Sequence, residues 1–292
     1  MARRERYRQP LIELQRTVLS QFKCTTCVAD KRFLLCLMFM DYAVEPFYFE
    51  RDIDFYQDGQ SHSFASLLYR AGPVLLGDGA LERILLAFQQ AMKQKSIRAN
   101  TQLVEAVQSA NWNQLPEALG PLAEASQACL KSIMSPRVST DAAPVLLLAL
   151  ITRMEVQSTG PYQVRHDRSD NLSRYHDLLL QYINHDHEAE FKHSEIATLR
   201  FPLKLREVAQ VDSKTSPAVQ VADVMAGAAI EAANALAGRS QRGINPDEVL
   251  GLYRDDQIIH YLPSIDFEQE KQFRSGTQAS AMLDYFSKHF SG

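Results

Sequence analysis

Val211-Asp-Ser-Lys-Thr-Ser-Pro-Ala-Val-Gln-Val-Ala-Asp-Val-Met-Ala-Gly227 is the stretch on which the reading of the fold turns. Ser216 and Pro217 mark a helix start, because the N–H that proline lacks would have had no intrahelical partner there. An Ala-rich run follows to about Ala237, and Gly238 ends it. On this helix Val219, Asp223, Ala226 and Ile230 fall along one stripe, so a carboxylate shares a face with apolar side chains. Burying an unpaired carboxylate costs several kcal/mol, which predicts a partner for Asp223: a metal, a cation or good hydrogen bonds. Gln220, one turn earlier, is a candidate hydrogen-bond partner, and a satisfied structural aspartate is the competing reading. The small residues Ala222, Ala226, Gly227, Ala228 and Ala229 would let this helix approach a sheet closely.

Upstream, helix and strand signals alternate. Residues 162–167 read as a strand, the turn at 168–171 leads into a helix carrying Leu172, Tyr175, Leu178, Leu179, Tyr182 and Ile183, and residues 196–201 and 208–211 read as strands. This alternation predicts a helix-rich α/β fold. Asp167 then ends a strand just before a helix, at the sheet edge where α/β proteins bind ligands. The alternative is that Asp167 or Asp170 caps the following helix. In the N-terminal third, Pro10 opens a helix to residue 22, residues 24–30 form a strand, and a helix over 32–45 is stopped by Pro46. From residue 61 to about 157 the signals are helical only, broken at Gly72-Pro73, Gly120-Pro121 and Ser135-Pro136. The chain divides accordingly: 1–60 and 158–240 as parts of an α/β core, 61–157 as a helical insertion or subdomain, and 241–292 as a helical tail.

The net charge of -4 and pI near 6.1 imply no global nucleic-acid footprint. Arg3, Arg4, Arg6 and Arg8 are a local basic start, equally explained as a solvated face. The apolar runs at 33–40 and 144–151 are too short to span a membrane, and no signal peptide is recognisable, so a cytoplasmic setting is expected. Four cysteines in 292 residues do not build a disulfide framework, which fits a reducing compartment. Cys24 and Cys27 have redox spacing but fall in a strand, where buried thiols are the better reading. The run His185-Asp-His-Glu188, with Glu190 and His193, could face a transition metal, but a solvated polar loop accounts for it as well.

The 211–227 stretch resembles the C-terminal signature of the domain-of-unknown-function 3800 family, which is regarded as ribonuclease H-like. Arg165-His-Asp-Arg-Ser169 resembles that family's second acidic strand, and Val28-Ala-Asp-Lys-Arg-Phe33 with Asp41-Tyr-Ala-Val-Glu-Pro46 resembles its earlier strand–helix unit. The resemblance implies a ribonuclease H-like core in which strand-end and helix carboxylates gather around Mg²⁺ or Mn²⁺ for phosphodiester cleavage. Asp167 and Asp223 would be catalytic and metal ligands, and Asp212 a third acidic group or a cap. Asp30, Lys31, Asp170 and Gln220 are accessory candidates; Lys31, following Asp30, is either a phosphate contact or an ordinary surface or core-rim lysine. The family's first strand bears Asp-Glu-Ser-Gly, and no such tetrapeptide occurs here. The expectation is therefore that the strand lies upstream of this start, that another chain supplies it, or that the chain is a catalytically silent relative. The partners implied are nucleic acid for an enzyme, and a protein partner or a second copy for an interaction subunit. An incomplete sheet further predicts exposed strand edges and a tendency to associate.

Overall fold

The computed structural model describes residues 7–194, 196–240 and 244–290, although the side chains of 193 and 194 lie outside that description. In chain order the elements are α1 (Arg8–Gln21), β1 (Thr26–Ala29), α2 (Lys31–Ala43), α3 (Glu45–Phe49), α4 (Gln60–Leu75), α5 (Ala80–Gln94), α6 (Ile97–Gln108), α7 (Pro116–Ala123), α8 (Gln127–Met134) and α9 (Ala142–Gln157). They continue with β2 (Tyr162–His166), α10 (Asp170–Ser173), α11 (His176–Asn184), β3 (Ala189–Ser194), β4 (Ala197–Phe201), β5 (Leu205–Gln210), α12 (Pro217–Leu236), α13 (Pro246–Leu250), β6 (Ile258–Tyr261), α14 (Phe267–Arg274) and α15 (Ala279–His289). Among the described residues, no helix is long and apolar enough to cross a membrane.

Helix-rich α/β is the observed class, and no described residue from 61 to 157 lies in a strand. The helical periods are direct there. On α5, Leu81, Ile84, Leu85, Phe88, Ala91 and Met92 are all buried, at spacings that make one face. The sequence reading fails at several places. Gly72-Pro73 and Gly120-Pro121 do not break helices but lie inside α4 and α7, and no strand was expected where β3 forms. Pro46 does not end a helix but sits in the first turn of α3, where its missing N–H costs nothing. The helix expected over 172–183 is broken into α10 and α11 around Tyr175. The tail carries a short strand, β6, that pairs with β1.

The strands pair two by two: β1 with β6, β2 with β5, and β3 with β4. This is a smaller arrangement than one open sheet. The chain forms two compact units. One unit comprises residues 1–28, 143–190 and 196–260, and the other 29–142, 191–195 and 261–292.

In the first unit Leu11 and Ile12 of α1 pack with Ala228 and Ala232 of α12 and with Ile244 and Val249. The helix α9 is fixed by charged side chains that are themselves buried. Glu155, 4% exposed, accepts the N–H groups of Lys204 and Leu205 at 2.9 and 3.0 Å, and Arg153 donates to the Asp256 carbonyl at 2.9 Å. Lys204 returns its ammonium to the carbonyls of Glu155 and Ser158, both at 2.7 Å. Buried backbone donors at the start of β5 are thereby satisfied by a charge that has its own partners.

The second unit has an aromatic core: Phe39 meets Phe88 edge-on at 5.3 Å, and Phe33 meets His62 at 5.1 Å and Tyr69 at 5.8 Å. Gly59 turns the chain into α4 with φ +75, and a Cβ there would stand 2.5 Å from the Arg274 side chain of α14. A side chain at this turn would be strained by conformation and would force Arg274 to shift. Arg274 pairs with Glu270, whose carboxylate lies 3.3 Å from His62 Nδ1.

Candidate functional site at the carboxyl ends of a parallel strand pair

β2 and β5 run parallel, with His166 opposite Gln210, and Val211 donates its N–H to the His166 carbonyl at 2.9 Å. The residues that leave the two strands, Asp167 and Asp212, therefore emerge at one edge. A parallel pair aligns its carboxyl ends, which is why ligand-binding groups collect there in α/β proteins.

Asp167 is exposed, and its Oδ1 accepts the Ser213 N–H at 3.3 Å. The Arg168 N–H and the Ser213 donors hold its carboxyl below the usual carboxylate range. Asp212 turns its Oδ1 to the Lys214 N–H at 2.9 Å and caps the short turn Ser213–Thr215. Of the two roles open to Asp212, the cap is thus observed. The side chain of Gln220 donates to the carbonyls of Ser213 and Lys214 at 2.8 and 3.3 Å. One turn of backbone, 213–215, thus ties the end of β2, the end of β5 and the first turns of α12 together. Arg168 and Lys214 are exposed beside these carboxylates and give the edge mixed charge.

Three expectations need correction here. Asp223 is not buried on an apolar stripe but exposed, as is Ile230 at 51%. The buried residues of α12 are Val219, Met225, Ala228, Ala229, Glu231 and Ala232, and Leu11, Ile12, Ile244 and Val249 pack with Ala228 and Ala232. Gln220 serves the 213–215 turn rather than Asp223. The cap of α10 is neither Asp167 nor Asp170 but Ser169, whose Oγ accepts the Leu172 N–H at 3.3 Å. Asp170 is an exposed first-turn acid, favourable against the helix dipole.

The accessory pair Asp30 and Lys31 belongs to the start of α2. Asp30 caps that helix through the Phe33 N–H at 2.9 Å and accepts the Tyr69 hydroxyl at 3.3 Å, while Lys31 is exposed. In the His185–Glu190 run, His187 pairs with Asp186 at 3.1 Å and Glu190 with Arg200 at 2.8 Å. The side chain of His193 lies outside the described residues, as do Arg3, Arg4 and Arg6. Burial raises the Cys24 thiol and pushes Cys27 up to about 11, which is the behaviour of structural thiols.

Among the described residues no group of three or more His, Cys, Asp and Glu side chains stands ready to hold a metal ion. Asp167 and Asp212 carry hard oxygen atoms just past neighbouring strand ends, and Asp223 is exposed on the helix that follows; among the described residues these carboxylates are not gathered into a metal cage.

The residues that sequence reasoning missed are Ser213, which reaches Asp167 through its backbone, and Glu155, which holds the start of β5. A backbone donor leaves no residue-type signal. Glu155 reads as the polar side of a helix until its partners at 204 and 205 are known. Set against known protein families, curated proteins and solved structures, the chain matches none of them.

Proposed function

We propose that the β2–β5 edge is a phosphodiester-binding site of ribonuclease H type, with a divalent cation, Mg²⁺ or Mn²⁺, carried by Asp167 and Asp223. The observation that supports this reading is the position of Asp167 and Asp212 just past the carboxyl ends of a parallel pair, with Asp167 bonded to the Ser213 N–H; Asp223 is assigned from the family resemblance of residues 211–227. The hydrogen bonds to Asp167 keep it ionised well into acid, so it is an anionic ligand at any physiological pH. When bound, the ion would supply charge neutralisation for the attacking and leaving oxygens. Arg168 and Lys214 flank the carboxylates and offer cationic contacts to the phosphates on either side of a scissile bond. Gln220 holds the 213–215 turn so that the Ser213 N–H stays aimed at Asp167.

A second reading has its own support: Asp223 is exposed, and β2 and β5 form a sheet of only two strands. An open strand pair is a template for another strand, so the chain can serve as an interaction subunit with a protein partner or a second copy, its phosphodiesterase chemistry silent. One experiment separates the two. The purified chain is incubated with single-stranded and duplex RNA and DNA in Mn²⁺, beside Asp167→Asn. Cleavage by the wild type alone supports the enzyme; absence of cleavage with all four substrates, together with a melting temperature that Mn²⁺ does not raise, rejects it in favour of the interaction subunit.

A further inference from the structure

Exposure alternates along β2: Tyr162, Val164 and His166 are half-buried, whereas Gln163 and Arg165 are exposed. The alternation runs one residue past the strand, to exposed Asp167. Residues two apart on a strand share a face and stand about 7 Å from each other. Arg165 therefore lies one pleat behind Asp167 on the same exposed face. In the parallel register its neighbour on β5 is Ala209, too small to cover a guanidinium, and Gln163 stands opposite Glu207. Glu207 is diagonal to Arg165, yet among the described residues Arg165 makes no ion pair.

Parallel strands are ordinarily covered on both faces by apolar packing. A face that presents Gln163, Arg165, Asp167 and Glu207 suits a polar occupant instead. We propose that this face of β2 is a track for a single nucleic-acid strand, and that Arg165 holds the phosphate next to the one at Asp167. The track presupposes the phosphodiester reading of the Asp167 edge and narrows the substrate from any phosphodiester to a polynucleotide.

Cations then bracket Asp167 along the chain, Arg165 on the strand side and Arg168 and Lys214 beyond the strand end. A lone phosphodiester cannot reach both sides of Asp167, whereas a polynucleotide carries a phosphate for each. The guanidinium of Arg165 is a planar fork that can donate to two oxygens of one phosphate. Glu207, beside Gln163, repels a further phosphate and ends the track there. With three cations on the track, affinity for a single strand should fall with salt at a logarithmic slope of about -2.

The test is fluorescence anisotropy of the full chain with short labelled RNA and DNA single strands, with Ca²⁺ in place of Mn²⁺, across about 50 to 200 mM salt. The wild type is expected to bind at least one of the two. Arg165→Gln is expected to weaken that binding about fivefold at the lowest salt and to make the slope shallower by about 0.7, the share of one phosphate. Arg137→Gln, at an exposed cation of the second unit, is expected to stay within about twofold of wild type with its slope kept. Wild-type binding that Arg165→Gln leaves within about twofold, at the same slope, overturns the track while the phosphodiester site stands. An equal loss in both variants overturns it too, because net charge alone then accounts for the binding. Failure of the wild type to bind either strand also overturns the track. If bis(4-nitrophenyl) phosphate is in addition left uncleaved in Mn²⁺, the phosphodiester reading falls with it.

Discussion

Replacing Glu155 by alanine removes both oxygens that receive the N–H groups of Lys204 and Leu205. An unsatisfied buried donor costs about 1–3 kcal/mol. Leu205 is fully buried, whereas Lys204 is partly exposed and can recruit water, so the full penalty applies to one donor and a fraction to the other. The expected loss is about 2–4 kcal/mol, with Glu155→Gln in the lower half because it keeps one acceptor. Urea unfolding followed by far-ultraviolet circular dichroism measures it, the slope being compared with wild type to detect a changed end state. Hydrogen exchange over residues 205–210 adds a local readout, since β5 loses its anchor in the variant. A Glu155→Ala protein within about 0.5 kcal/mol of wild type would show that α9 is not held to β5 by this carboxylate.

Other expectations follow from ionisation and packing. Asp41 is partly exposed as a residue, but its enclosed carboxyl group is raised to about 6 by burial, against the hydrogen bonds from Tyr56 and Ser61. The fold then binds a proton that the unfolded chain has released, so the contribution of Asp41 to stability is lost as pH rises from about 4 to 6. Asp41→Asn should flatten that slope, and melting temperatures at pH 4.5 and 7 check it. With its thiol near 11, Cys27 should alkylate on the order of a hundredfold more slowly at pH 7.5 than an unperturbed cysteine, by mass spectrometry with iodoacetamide. Equal rates would reopen a redox role for Cys24 and Cys27. Phe88, with no exposed surface, should cost about 3–5 kcal/mol when cut to alanine.

What could be read from the chain followed the strength of the local signal. The faces of α5 were legible because apolar residues recur there at helical spacing between charged ones. On α12 the same method failed. That helix is apolar on nearly every side, so a stripe through Val219, Ala226 and Ile230 looked as eligible as the one through Met225, Ala229 and Ala232. Only α1 and α13, packed on the latter, decide between them. Strands β3 and β6 are short and carry Lys192, His193 and His260 in place of an alternating apolar pattern, which hides them. The strand end at Asp167 was visible from the alternating α/β pattern. Its link to the Ser213 backbone was not, because that is set by tertiary structure alone.

The central claim is that Asp167 and Asp223 act together on a divalent ion, and thermal unfolding of the metal-stripped protein across a Mn²⁺ titration tests it. A ligand that binds the folded state stabilises it by about 2.7 kcal/mol at a hundredfold excess over its Kd. The wild type should show a rising melting temperature as Mn²⁺ is added, and Asp167→Asn and Asp223→Asn should each abolish most of that rise. Without metal, Asp223→Asn should be nearly neutral because Asp223 is exposed, whereas Asp167→Asn should be slightly destabilising because the Arg168 and Ser213 donors favour the ionised carboxylate. A wild-type melting temperature indifferent to Mn²⁺, or a full rise retained by either variant, would contradict the shared-metal account.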